Sequence, residues 1–363
     1  MPEQSTMKTI PSLEKRIKAF AELGKVMQLA AENITNHNNG FQEQYPGLFE
    51  AMQLASHHNS WFTPESISYA LNTWKEALSE ESISAWIRDS IPGFQLVKPK
   101  QIAIIMAGNI PLVGFHDFLC TLMAGHRVLG KLSSDDKILL PAIADVLCQI
   151  EPQFRNLIQF TESTLSNFDA VIATGSNNTA RYFEFYFSKY PHIIRKNRNG
   201  VAVLSGNESD QDYKKLGTDI CMHFGLGCRN VSKIFIPEGF APEKLFKAID
   251  HYYKALNDHH KFMNNHSYNS SVYLLNSVKH LDNNVFILTE SEHYSSPIPV
   301  LYYQFYKNIE TLKEKLIQDD EIIQCIANDI FTNSKTVALG STQSPGLADY
   351  ADGIDTMKFL LEL

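Results

Sequence analysis

Apolar and polar positions change their spacing partway along the chain. Before residue 100 the apolar residues recur at helical intervals. Leu13, Ile17, Phe20, Ala21 and Leu23 form one stripe that Gly24 is expected to stop, and residues 67–77 form another. The Asn- and Gly-rich stretch 33–40 between them predicts a loop, and Pro92-Gly93 closes a helical N-terminal region assigned to residues 1–99. From Gln101 strand-length apolar runs alternate with helical ones. Strands are predicted at 102–106, 128–131, 157–160 and 170–173. Helices are predicted at 116–124, stopping at Gly125, from a Ser134 cap to Ile150 with Pro141 as an irregularity, and at 179–189. Short apolar strands alternating with helices predict a parallel sheet covered on both faces, an architecture that binds nucleotides at its strand carboxyl ends. This unit is assigned to residues 100–200.

A second α/β unit follows over residues 201–334, with strands at 201–204, 233–236, 271–275, 285–288 and 300–305 and helices at 212–224, 243–254 and 309–317. The tail, 335–363, holds a strand, a Gly/Ser/Pro-rich turn and an apolar segment expected to dock back on the fold. The fold class is α/β.

Composition narrows the function classes. A length of 363 residues favours two domains, and a formal net charge of -8 without a basic cluster argues against a nucleic-acid partner. The most apolar stretch, 102–115, is interrupted by Asn109 and Pro111 and is too short to span a bilayer; the N-terminus carries no secretory pattern. Five cysteines (Cys120, Cys148, Cys221, Cys228 and Cys325) without a CxxC read as reduced thiols in a cytoplasmic protein rather than disulfides or a zinc site. His57-His58 and His259, His260 and His266 lack the HExxH spacing, so no metal is expected.

Cys228, in F-G-L-G-C-R-N, lies between a helix and an apolar strand. Flanking glycines let the backbone turn and let a substrate carbonyl approach, and Arg229 could favour a thiolate. Equally, the glycines could cap a helix over a small buried residue. Asn109, in M-A-G-N-I-P, follows the first strand of the nucleotide unit. A side-chain amide there can donate to a developing oxyanion, a contact worth about 2.7–4 kcal/mol of barrier, or it can make an Asx-turn. Lys131 ends the second strand, where an ammonium reaches ribose or phosphate oxygens or is simply solvated. Thr174-Gly175-Ser176 opens a helix and can offer backbone N–H groups to a pyrophosphate, although neither GxGxxG nor GxxxxGK[ST] is present. His223, five residues before Cys228, falls off the same helical face and is not taken as its base.

In this order the elements resemble the aldehyde dehydrogenase superfamily, and within it the acyl-CoA reductase (LuxC) family. The similarity runs from about Gln101 to Ile317, and F-G-L-G-C-R-N-V-S-K is its most specific piece. The resemblance implies an aldehyde dehydrogenase-like fold, with a Rossmann-type cofactor domain and an α/β catalytic domain. It makes Cys228 the nucleophile and Asn109 an oxyanion donor. Lys131 becomes the ribose contact and Gly175-Ser176 the pair beneath the pyrophosphate. Arg195 stands near the place where hydrolytic aldehyde dehydrogenases carry a glutamate base, and the stretch holds no carboxylate. Without that base water is not activated against an acyl-enzyme, which fits acylating reduction. Ser134 takes the place where NAD-preferring members often have glutamate, which removes repulsion of a 2′-phosphate and permits NADPH. A nicotinamide-ribose carboxylate is expected at Glu290 or Glu292. The implied reaction is NADPH-dependent reduction of an acyl thioester, carried by CoA or an acyl-carrier protein, to an aldehyde in a homo-oligomeric enzyme, a dimer or tetramer. An NAD(P)-dependent aldehyde dehydrogenase and a nucleotide-independent cysteine acyltransferase or thioesterase are the alternatives.

Overall fold

The helical stripe that begins at Leu13 does not stop at Gly24. It continues as one long helix, α1 (Leu13–Asn36), because glycine at this point lets the helix meet its neighbour: a Cβ on Gly24 would lie 2.8 Å from the Cβ of Leu78. A computed structural model describes residues 10–36, 39–90 and 98–363. The stretch read as a loop is largely helical, since α1 runs to Asn36 and α2 (Asn39–Gln44) starts almost at once; Pro92-Gly93 lie outside the described residues. α3 (Pro46–His58), α4 (Pro64–Ala77, capped by the Thr63 hydroxyl) and α5 (Glu80–Ser90) complete the helical layer.

Five parallel strands follow in βα order: β1 (Gln101–Ile105), α6 (Phe115–Ala124), β2 (Arg127–Lys131), α7 (Leu139–Ile150), β3 (Ile158–Thr161), β4 (Ala170–Thr174), α8 (Asn177–Phe187) and β5 (His192–Arg195). Their order in the sheet is β3-β2-β1-β4-β5. α6 stops where Gly125 takes a left-handed φ of 88°. The fully buried Arg16 of α1 donates to the carbonyls of Leu122 (3.3 Å) and Met123 (2.6 Å) at that helix end, where positive charge is favoured. Ser134 does not cap α7; the helix starts at Leu139, which puts Pro141 in its first turn, where an absent N–H costs nothing.

The second sheet has seven strands. The elements are β6 (Asn199–Val203), α9 (Asp210–Cys221), β7 (Val231–Pro237), α10 (Tyr253–Asn257), α11 (His260–Leu275), β8 (Leu281–Asp282), β9 (Ile287–Glu290), β10 (Val300–Tyr306), α12 (Ile309–Gln318), β11 (Ile323–Ala327) and β12 (Thr336–Val337), and the sheet order is β12-β11-β6-β7-β10-β9-β8. All its pairings are parallel except β8 with β9. Residues 271–275, expected as a strand, are the last turns of α11. That helix buries Phe262, His266 and Asn269 along one stripe and leaves Leu274 and Leu275 exposed. The helix expected at 243–254 is divided into a 3-10 segment, Pro242–Ala248, and α10.

The chain separates into two compact units: unit 1 holds the described residues up to Lys196 together with Gly346–Leu363, and unit 2 holds Asn197–Pro345. The returning segment of unit 1 carries α13 (Thr356–Leu361), whose Met357 and Leu360 are fully buried in the same core as α1, α4 and α6. His126 fixes this return. Its Nδ1 accepts from the Lys100 N–H (3.2 Å), so its Nε2 carries the proton donated to the Leu360 carbonyl (2.7 Å).

Candidate active site

In unit 1 the chain order reverses between β1 and β4, the switch point outside which parallel α/β sheets bind ligands. Register places Ile105, Lys131 and Ala173 side by side at the carboxyl edge, so the loops after β1, β2 and β4 leave from one end of the sheet. Asn109 is exposed on the bend after β1. That bend lies against the excursion after β2: a Cβ on Gly108 would come within 2.5 Å of the Ser133 hydroxyl and 2.9 Å of the Asp136 nitrogen. The buried Asp136 carboxylate accepts from the N–H of Leu112, itself in a left-handed conformation (φ 62°), at 3.1 Å. Burial pushes this carboxyl up to about 6, against the pull of the Leu112 and Leu139 N–H groups.

Lys131 donates from Nζ to the carbonyls of Glu162 (3.2 Å) and Ser163 (3.0 Å). Ser134 is exposed and its carbonyl meets His58 Nε2 at 2.7 Å. Gly175 sits where a Cβ would lie 3.0 Å from Thr179, and Ser176 is the N-cap of α8, accepting from the Thr179 N–H at 3.2 Å. Arg195, at the end of β5, is buried. Its Nη1 and Nη2 donate to the two oxygens of Asp117 on α6 (2.6 and 2.9 Å), and Nη2 also donates to the Thr356 hydroxyl (2.8 Å). Arg195 is thus a buried guanidinium paired with a carboxylate.

Cys228 belongs to unit 2, on the loop that joins α9 to β7. The loop takes three left-handed turns, at Phe224 (φ 57°), Gly225 (81°) and Gly227 (94°). None of the five cysteines is in a disulfide. Cys120, Cys148, Cys221 and Cys325 are buried, whereas Cys228 is half-buried. Burial pushes the Cys120 and Cys221 thiols far up, which leaves them as inert core residues. His223 is buried and pushed down to about 4 by desolvation, so it is neutral at physiological pH. A shallow depression beside the loop is walled by Ile220, Phe224, Gly225, Phe286, Ile298 and Val300, among others.

Three groups near this loop escape a reading of the sequence. Lys233, fully buried on β7, donates to the Glu292 carbonyl (2.8 Å) and the Gln304 amide oxygen (2.7 Å) and lies over the rings of Phe235 and Tyr294; desolvation brings it down to about 8. It thereby fixes the backbone after β9, where Glu290 and Glu292 are both exposed. Asp219 on α9 is fully buried and bonded to the turn at Gly340 and Thr342, and the carbonyl of Thr342 accepts from Arg229 Nε at 2.5 Å. Lys233 sits in an apolar strand run, and Asp219 and Thr342 are 123 residues apart.

Residues 25–251 match the family described as Acyl-CoA reductase (LuxC). The chain belongs to this family. Among curated proteins none matches its sequence. Solved structures show that this LuxC-family member has the aldehyde dehydrogenase-like fold. It is similar to the indole-3-acetaldehyde dehydrogenase AldA of P. syringae in complex with NAD+ and IAA (TM-score 0.60, 11% identity, 84% of this chain and 69% of that one). It is also similar to an aldehyde dehydrogenase of Physcomitrella patens in complex with the product succinate (TM-score 0.60, 11%, 96% and 87%). The aldehyde dehydrogenase KauB of Pseudomonas aeruginosa is a third (TM-score 0.61, 12%, 90% and 73%). Family and fold make this LuxC-family chain an oxidoreductase of aldehyde chemistry. Among the described residues no helix is long and apolar enough to cross a membrane, and no three His, Cys, Asp or Glu side chains group as metal ligands.

Proposed function

We propose that the protein reduces an acyl thioester, acyl-CoA or acyl-carrier protein, to an aldehyde with NADPH through a thioester on Cys228. The observation that carries this reading is the half-buried Cys228 on a loop of left-handed turns in a LuxC-family chain whose other thiols are buried. The Cys228 thiolate attacks the acyl carbonyl, the Cys228 N–H donates to the oxyanion, and the family resemblance gives the Asn109 amide the role of a second donor. Collapse expels the carrier thiol, which takes up a proton, and leaves the acyl group on sulfur.

The residues of unit 1 fit a dinucleotide. The loops after β1 and β4 flank the switch point, Gly175 allows close approach at the start of α8, and the first N–H groups of that helix favour an anion. Lys131 and Ser134 would face the adenosine ribose, and exposed Ser134 puts no carboxylate against a 2′-phosphate. When bound, NADPH supplies the hydride. A second tetrahedral collapse then frees the Cys228 thiolate and the aldehyde. By the family resemblance Arg195, locked to Asp117, stands where hydrolytic aldehyde dehydrogenases carry their glutamate base, which favours reduction of the thioester over its hydrolysis.

The test is an NADPH-consumption assay over a series of acyl-CoA chain lengths, with intact-mass detection of the acylated protein. The parent chain should consume NADPH, release aldehyde and carry an acyl adduct that Cys228→Ala abolishes. No NADPH consumption with any acyl-CoA, or an undiminished rate in Cys228→Ala, refutes the reading. Release of free acid alone points to a thioesterase instead.

A further inference from the structure

The three left-handed residues that shape the Cys228 loop do not by themselves hold it. Within it, Phe224 N–H donates to Cys221 O (2.8 Å), Leu226 N–H to His223 O (2.9 Å) and Asn230 N–H to Gly227 O (3.3 Å). The residue after the nucleophile is instead gripped from outside. The Arg229 carbonyl lies so near Gly200 that a Cβ there would stand 2.5 Å from it, and the Asn230 carbonyl accepts from the Gly200 N–H at 3.0 Å. The side chain of Arg229 reaches the other way and donates from Nε to Thr342.

Thr342 is in turn fixed by a carboxylate with no exposure at all. Asp219 accepts from the Gly340 N–H (2.7 Å), the Thr342 N–H (2.9 Å) and the Thr342 hydroxyl (2.8 Å). These three bonds and the fourth from Arg229 form one continuous path from α9, through the 340–342 turn, to the residue beside the thiol. A buried carboxylate is expensive to desolvate, and burial raises the Asp219 carboxyl to about 6 in spite of its three donors.

We propose that Asp219, acting through Thr342 and Arg229, is a positioning residue for the nucleophile: it sets the place of the Cys228 sulfur and backbone N–H against the acyl carbonyl. The inference rests on the acyl-enzyme reading above. Misplacing a reacting atom by about 1 Å costs on the order of 100-fold, so loss of the path slows attack on a bound acyl group far more than it alters the intrinsic reactivity of the thiol.

The experiment uses the full chain and three variants: Asp219→Asn, Arg229→Met and the two combined. Asparagine at 219 turns one acceptor into a donor facing N–H groups, while Arg229→Met acts at the half-buried end of the path and spares the core. Two rates and one affinity are read: acylation of Cys228 by acyl-CoA in intact-mass measurements, alkylation of Cys228 by iodoacetamide, and NADPH binding by fluorescence. Each single variant should lower acylation roughly 10- to 100-fold and leave NADPH affinity unchanged, and Asp219→Asn, which keeps the Arg229 guanidinium beside the thiol, should change alkylation less than about threefold. The combined variant should be no slower than the slower single one, because both cut the same path. Equal acylation in parent and variants overturns the proposal while leaving the acyl-enzyme reading intact. A parallel fall in acylation and alkylation in Asp219→Asn, or multiplied effects in the combined variant, overturns it too. Failure of the parent chain to become acylated removes the acyl-enzyme reading and this inference with it.

Discussion

Replacing Asp117 by alanine should destabilise unit 1 by about 3–5 kcal/mol, because it leaves a guanidinium buried without its counter-ion. Both side chains of the Asp117–Arg195 pair are nearly inaccessible, at 6% and 5% exposure. Burial opposes the charge on Arg195, and the Asp117 carboxylate outweighs that penalty and holds the guanidinium above its ordinary value. With Asp117 gone, the Thr356 hydroxyl at 2.8 Å is the remaining side-chain acceptor, and Arg195 Nε has none even in the parent chain. A loss of that size is comparable with a third or more of an ordinary domain's stability. The double variant Asp117→Leu/Arg195→Met removes both charges at once and should recover most of the loss. Urea unfolding followed by tryptophan fluorescence reads the right unit, because the three tryptophans, Trp61, Trp74 and Trp86, all lie in unit 1. Trp74 and Trp86 lie within 6.4 Å of His116, the neighbour of Asp117. At a urea dependence of about 2 kcal/mol/M the midpoint should fall by roughly 1.5–2.5 M in the single variant. A single-variant loss under about 1 kcal/mol, or a double variant no more stable than the single, would refute the assignment of a paired buried charge.

Gly24→Ala should lower the thermal midpoint of unit 1: the new methyl must displace Leu78 from 2.8 Å, a cost of about 1–3 kcal/mol that exceeds the helix-propensity gain of about 1 kcal/mol. Ser134→Glu should raise KM for NADPH several-fold more than KM for NADH in paired steady-state assays, and equal changes for both would count against its placement at the ribose. His223, pushed down to about 4, binds its proton later than an unfolded histidine near 6.5. Its contribution is therefore present above 6.5 and lost as pH falls toward 4, by at most about 1.4 kcal/mol per pH unit. Asp219 in the same unit is raised to about 6 and acts in the opposite sense, its stabilisation fading as pH rises through that value. Subtracting parent from His223→Gln isolates the histidine: the variant should gain on the parent in unfolding measured by circular dichroism as pH drops from 6.5 to 4.

Most of unit 1's sheet was legible because its strands are short apolar runs, such as Ile102–Ile104 and Ala170–Ala173, buried on both faces. The tertiary environment overrode local rules at Gly24, where a close helix crossing keeps the helix going, and at residues 271–275, where an apolar run that resembles a strand is an exposed helix end. β5 was missed because His192 and Arg195 bracket only two apolar residues, and β11 because Gln324 and Cys325 interrupt its pattern. Among the candidate site residues, Asn109, Lys131 and Gly175-Ser176 stood out by their places at the ends of strands and Cys228 by its flanking glycines. Asp219, Thr342 and Lys233 did not, because buried polar partners far apart in sequence leave no local pattern.

The return of residues 346–363 to unit 1 also constrains how the protein is made. β1 to β5 are synthesised early, but the surface that α13 covers waits for the whole of unit 2 to be translated first. At a synthesis rate of ~5–20 residues per second, the core around α6 stays uncovered on the ribosome for on the order of ten seconds or more. During that interval Asp117 and Arg195 lack Thr356, and His126 lacks the Leu360 carbonyl. Unit 2, being continuous, can fold in the meantime, so the later-made unit is free to finish before the earlier one. Chaperone binding to nascent chains arrested before residue 346, and its loss once residue 361 has emerged, would be the cellular trace of that inverted order.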